Sequence, residues 1–156
     1  VQKIKSFVLG GHGDSMVAML GLTEVDGKKI NELVKEGKIK KEKIDQIIER
    51  TKKGGAEIVK YLEKGSAFYA PAASGVEMAT SYLQDLKKQL PCAAFLNGEY
   101  GVKDLYAGVP VIIGSGGVEK VVELDLNPEE KDNFSKSIQA VRDLFKDAQK
   151  IDPSLK

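Results

Sequence analysis

A chain of 156 residues, 42% hydrophobic and 30% charged, is long enough for one real core and fits a single domain. Its 24 lysines and arginines nearly cancel 23 aspartates and glutamates, for a formal charge of +1. The charges are interspersed along predicted helices rather than gathered in a stripe, so neither nucleic acid nor an acidic membrane surface is an expected partner.

One histidine and one cysteine are too few for an imidazole or thiolate zinc centre, and no metal is expected. The lone Cys92 forms no internal disulfide, which suits a reducing, cytoplasmic compartment. There is no apolar run of transmembrane length and no basic-then-apolar leader. The chain opens at Val1 rather than at a methionine, and its most chemical-looking motif lies within the next dozen residues. Val1 is therefore not expected to be the biological start.

In chain order, Phe7-Val8-Leu9 reads as a short strand that runs into the turn Gly10-Gly11-His12-Gly13-Asp14-Ser15. Leu20–Val25 reads as extended, and Asp26-Gly27 after it is a hairpin or loop signal. A short helix over Asn31–Glu36 stops at Gly37. A longer one starts near Lys41 and places Ile44, Ile47, Ile48, Thr51, Ile58, Val59 and Leu62 on one face. Gly54-Gly55 in its middle marks either a kink with a close neighbour or an ordinary break.

The small-residue tract Gly65–Gly75 follows. Pro71 fits the first turn of a helix that continues through Val76, Met78, Ala79, Tyr82 and Leu83, packed closely on a helix, a subunit or a ligand. Pro91 ends the helical tract. Cys92–Leu96, Val109–Ile113 and Val118–Leu126 then have the alternation of strands, with turns at Asn97–Gly101 and Ser115-Gly116-Gly117. They predict a three-stranded antiparallel meander with Cys92 as a small buried hydrophobe.

Asn127-Pro128-Glu129-Glu130 is a strong helix start, and Phe134, Ile138, Val141, Phe145 and Ala148 form the buried stripe of a helix that ends at Ile151-Asp152-Pro153. Long helices on an antiparallel sheet make the fold class α+β.

His12 is the chain's only histidine, with glycine on both sides. Imidazole both gives and takes a proton near neutrality, which suits general acid–base work; the alternative is a turn histidine that caps a strand end. Phosphate binding fits poorly, because Gly10–Ser15 does not follow G-x-G-x-x-G and no convincing helix opens directly after it. Gly13-Asp14-Ser15 resembles the opening of GDS-type esterases. Those enzymes carry their histidine near the C-terminus, and the last hundred residues here have none.

The segment Val8-Leu9-Gly10-Gly11-His12-Gly13-Asp14-Ser15-Met16-Val17 closely resembles the active-site histidine segment of the lactate/malate dehydrogenase family. The likeness continues in family order. It takes in Ile44–Thr51 with Gly54-Gly55, Gly65–Ser74, Leu90–Ala94 with Asn97–Val102, and Gly108–Gly114. The variant it resembles is that of bacterial malate dehydrogenases built on the lactate-dehydrogenase plan.

The resemblance implies that residues 1–156 are a C-terminal catalytic and substrate-binding domain, with NAD as cofactor and malate and oxaloacetate as substrates. His12 takes the role of proton donor and acceptor. Gly11 and Gly13 let the backbone approach the substrate, Asp14 holds the turn, and Ala67 lines the substrate pocket. Pro71 packs against the nicotinamide.

The same resemblance implies a homo-oligomer, dimer or tetramer, for which Ala70–Gly75 offers a subunit contact. The family's nucleotide-binding Rossmann domain, its substrate-clamping arginine and the aspartate that orients the histidine have no counterpart in these residues. Downstream of Val17, Ala18-Met19-Leu20-Gly21-Leu22 stands where the family usually has a proline-containing segment. The chain alone is thus expected to be inactive, and an assembly module without catalysis of its own is the competing reading.

Overall fold

A computed structural model describes residues 3–155; Val1, where the question of the biological start arises, lies outside the described residues with Gln2 and Lys156. The fold is α+β, as expected, with two antiparallel sheets. The smaller sheet joins β1 (Ile4–Lys5), β4 (Glu24–Val25) and β5 (Lys28–Lys29). The larger contains β2 (Val8–Gly10), β3 (Met16–Ala18), β6 (Lys88–Asn97), β7 (Lys103–Gly114) and β8 (Gly117–Val121). Its order is β3-β2-β7-β6, with β8 also paired to β7.

The helices are α1 (Ile30–Lys35), α2 (Lys41–Lys52), α3 (Gly54–Leu62), α4 (Tyr69–Leu83) and α5 (Pro128–Ile151). Among the described residues no helix is long and apolar enough to cross a membrane.

Several elements differ from their sequence reading. Leu20–Leu22 forms a 3-10 turn, and the strand shrinks to Glu24–Val25. The hairpin at Asp26-Gly27 holds, because both residues take positive φ (51° and 78°), as a type I′ turn requires. The long helix breaks at Lys53, so Gly54-Gly55 opens α3, and Arg50 spans the break with a two-pronged contact to Glu57 at 2.9 and 2.7 Å. Ile58, Val59 and Leu62 stay 37–38% exposed, and α3 has no buried residue.

Pro91 does not end a helix. It lies inside β6, paired with Pro110. The two prolines are tolerated for different reasons: Pro91 is on the edge strand β6, whereas Pro110 of the central β7 falls between Gly108, which pairs with β2, and Val111, which pairs with β8. The third strand of the meander stops at Val121. The segment after it is held by the Tyr100 hydroxyl, which donates to Val122 O at 2.7 Å and accepts Leu124 N–H at 3.0 Å.

The meander buries alternate residues: Cys92, Ala94 and Leu96 on β6, and Leu105, Ala107, Val109, Val111 and Ile113 on β7. Phe134 and Ile138 of α5 cover this face together with Leu9 and Met19, and Tyr100 meets the Phe134 ring at 5.2 Å. Cys92 is a buried free thiol whose ionisation burial pushes up, so it packs as a small apolar group.

The start of α5 is built as the sequence predicts. The Asn127 side chain accepts Glu130 N–H at 2.9 Å, and Glu130 Oε2 accepts Asn127 N–H at 3.0 Å behind Pro128. The second Glu130 oxygen reaches Gly21 N–H at 2.8 Å. This buried carboxylate thereby ties α5 to the turn that follows β3.

At the far end of the sheet, Ser81 is the one buried residue of α4 and donates to Ile113 O at 2.7 Å. Asp85 accepts Ser115 N–H at 2.7 Å, and with Lys87 nearby its carboxyl is held down to about 2. The C-terminal end of α4 is anchored in this way, whereas its start, with Ala70 and Pro71, is exposed.

Replacing Glu130 by alanine keeps the Asn127 side-chain cap but removes the reciprocal half of the capping box and strands the Asn127 and Gly21 N–H groups, at an expected cost of about 2–4 kcal/mol. A fall in Tm of about 5–15 °C is expected for a chain of this size. Thermal melts followed by circular dichroism check this, and Glu130→Gln, which keeps an acceptor, is expected to lose less.

Candidate active site

Strands β2 and β3 form a hairpin in the register Val8↔Ala18, Leu9↔Val17 and Gly10↔Met16, and the five residues Gly11–Ser15 close it. The sequence reading puts a strand only before the glycine turn; the structure adds one after it and joins both to the meander through Gly10↔Gly108. Gly13-Asp14-Ser15 is a single 3-10 turn, too short to cradle a phosphate as a helix start does.

His12 stands at the tip of this hairpin in extended conformation (φ −95°, ψ 150°) and is exposed. Among the described residues its ring makes no hydrogen bond. The Ser15 hydroxyl turns to the His12 main-chain carbonyl at 3.4 Å, not to the imidazole, so the nucleophile–base contact of a serine esterase is not formed.

The glycines have different reasons to be glycine. Gly10 has φ +91°, and a Cβ there would overlap Ser137 Oγ. A Cβ on Gly11 would overlap Ser15 Oγ and come within 3.1 Å of Val141 Cγ2. Gly13 has φ +71° with open space beside it, so only its backbone conformation demands glycine. Asp14, expected to hold the turn, is exposed and makes no side-chain hydrogen bond among the described residues.

Ser137 of α5 does that work instead. Its hydroxyl accepts Gly11 N–H at 2.8 Å and donates to Ser15 O at 2.5 Å, bridging the two ends of the loop. Sequence reasoning passed over it, yet 134, 137, 138 and 141 form one helical face. A serine on an otherwise apolar stripe must find partners when buried.

Ala67 is half-buried just ahead of α4, and Pro71 is exposed in its first turn. The structure does not gather the five candidates in one cavity. None of the five principal cavities is lined by Gly11, His12, Gly13, Ala67 or Pro71. The largest, about 660 Å³, lies beside the histidine turn, between Asp14–Ala18, Lys41, Asp45 and Lys52 of α2, and Asn133, Lys136 and Ser137 of α5.

Residues 1–151 match the family model described as "lactate/malate dehydrogenase, alpha/beta C-terminal domain". The chain is 61% identical over 155 residues to a malate dehydrogenase of Pelagibacter ubique (strain HTCC1062), a match that covers 99% of this chain and 48% of that protein. Among solved structures, Cryptosporidium parvum malate dehydrogenase superposes with a TM-score of 0.90 at 44% identity, over 96% of this chain and 48% of that one. A lactate dehydrogenase of Eimeria maxima, solved with NADH and oxamate, gives 0.91 at 41%, over 97% and 47%. The chain spans about half the length of the curated relatives it matches.

Gly10→Ala adds a Cβ both to a positive-φ position and to the space that Ser137 fills, with an expected cost of about 2–4 kcal/mol. Denaturant melts check the value. Asp14→Asn is expected to stay within about 0.5 kcal/mol of the parent protein, as a surface change that breaks no contact.

Proposed function

Because this chain belongs to the lactate/malate dehydrogenase family as its C-terminal α/β domain, we propose that it forms the acid–base half of a malate dehydrogenase active site, with His12 as the proton carrier. The observation that carries this reading is the placement of the chain's only histidine. It tops a hairpin whose loop is clamped by Ser137, and among the described residues its exposed ring makes no hydrogen bond.

In reduction, the protonated imidazole hydrogen-bonds the keto oxygen of oxaloacetate, polarises the carbonyl, and gives its proton to the alkoxide as it forms. In malate oxidation the neutral ring takes that proton back. Gly11 and Gly13 line the approach to the substrate, and Ala67 leaves room for its second carboxylate arm.

NAD supplies or accepts the hydride when bound. Of this chain's residues, Pro71 is assigned to the nicotinamide, and among the described residues no strand–glycine turn–helix unit is available to hold the pyrophosphate. We assign that platform, the carboxylate clamp and the group that orients His12 to the remainder of the full-length protein. Its location is cytoplasmic, in keeping with the buried free thiol of Cys92.

In the full-length protein, His12→Asn is expected to lower kcat for NADH-dependent oxaloacetate reduction by about 10²-fold or more, with NADH binding retained in a fluorescence titration. The 156-residue chain by itself is expected to give no turnover in the same assay. Activity in either sample overturns the corresponding part of this reading.

A second observation favours a homo-oligomer. Tyr69, Val76 and Leu83 recur every seven residues along α4, are 79%, 66% and 77% exposed, and are separated by alanines that permit close helix approach. We assign this stripe to a second copy of the protein. Sedimentation of the full-length protein is expected to give a dimer or tetramer that Val76→Glu weakens, and a strict monomer rejects the assignment.

A further inference from the structure

We propose that Ser137 is a positioning residue for His12, acting from α5 through the two ends of the histidine loop. This rests on the acid–base reading of His12 given above. Ser137 is 4% exposed, and its one hydroxyl both accepts from Gly11 and donates to Ser15. Those residues lie one position before and three positions after His12, so the hydroxyl sets the separation of the two backbone arms that carry the ring.

Serine suits this place for steric reasons as well. The backbone of Gly10 packs so closely that a Cβ there would lie 2.8 Å from Ser137 Cβ. A hydroxymethyl is the smallest side chain that offers both a donor and an acceptor. Alanine would fill less space and remove the one group that ties the half-buried Gly11 N–H to Ser15 C=O.

The helix that bears Ser137 is itself registered against the same hairpin. Glu130, seven residues earlier on the same face, holds Gly21 N–H beyond β3, and Val141, four residues later, packs on Gly11. Three successive contacts from one rigid helix thus fix the loop, and Ser137 is the only one of them that hydrogen-bonds on both sides of His12. Displacing a proton carrier by a fraction of an ångström to 1 Å lowers rate far more than it lowers stability.

The test is a double-mutant cycle in the full-length enzyme with Ser137→Ala, His12→Asn and the pair, reading kcat and KM for NADH in oxaloacetate reduction. Ser137→Ala is expected to lower kcat about 10- to 100-fold and leave KM for NADH unchanged. In the His12→Asn background it is expected to cost nothing further, because the group it positions is gone.

Equal losses in both backgrounds, or a Ser137→Ala enzyme with unaltered kcat, overturn the proposal. If His12→Asn by itself keeps full activity, the acid–base reading fails instead, which is a separate outcome. Should the alanine variant fold poorly, Ser137→Cys preserves the bulk with weaker hydrogen bonding, and a kcat loss confined to the His12 background is again the expected result.

Discussion

The meander and the histidine hairpin meet where Gly10 pairs with Gly108. A Cβ on Gly108 would lie 2.7 Å from the Gly10 carbonyl oxygen, so two bare backbones are needed for β2 to reach β7. Without that contact β2 and β3 would be a two-stranded ribbon, which is marginal in water. With it, the hairpin becomes part of a five-stranded sheet, and Leu9 and Met19 join the core formed by Val109, Val111 and Ile138.

One bridge cannot orient a hairpin, and α5 provides the remaining constraints. Its capping box makes the helix start at a defined residue, and Glu130 carries that register across to Gly21. The apolar stripe then seats Phe134 and Ile138 on the sheet, and between them Ser137 faces the loop. Local capping chemistry is in this way converted, two turns along the helix, into the placement of His12. The loop's own side chains contribute less: among the described residues Asp14 makes no side-chain hydrogen bond, and the Ser15 hydroxyl closes back on the main chain.

The other side of the molecule is open. Helices α3 and α4 bury almost nothing, and Tyr61, Tyr69, Val76 and Leu83 together expose a broad apolar surface. The same openness surrounds His12, Ala67 and Pro71, none of which lies in a principal cavity. The apolar stripes of α3 and α4 have the periodicity of buried helix faces, yet both are exposed in this chain.

Sequence by itself determined what depends on short spacings: the helix start at Asn127–Glu130, the hairpin turn at Asp26-Gly27, the alternating meander strands, the α+β class and the family of the histidine segment. Each is set by a few neighbouring residues whose backbone preferences or caps act locally. Tertiary structure alone decided that Leu20–Leu22 turns, that Pro91 sits in an edge strand, that Ile58, Val59 and Leu62 stay exposed, and that Ser137 rather than Asp14 holds the histidine loop. The physical reason is separation: Ser137 and Gly11 are 126 residues apart, and no local preference links a hydroxyl to an amide that only folding brings within 2.8 Å.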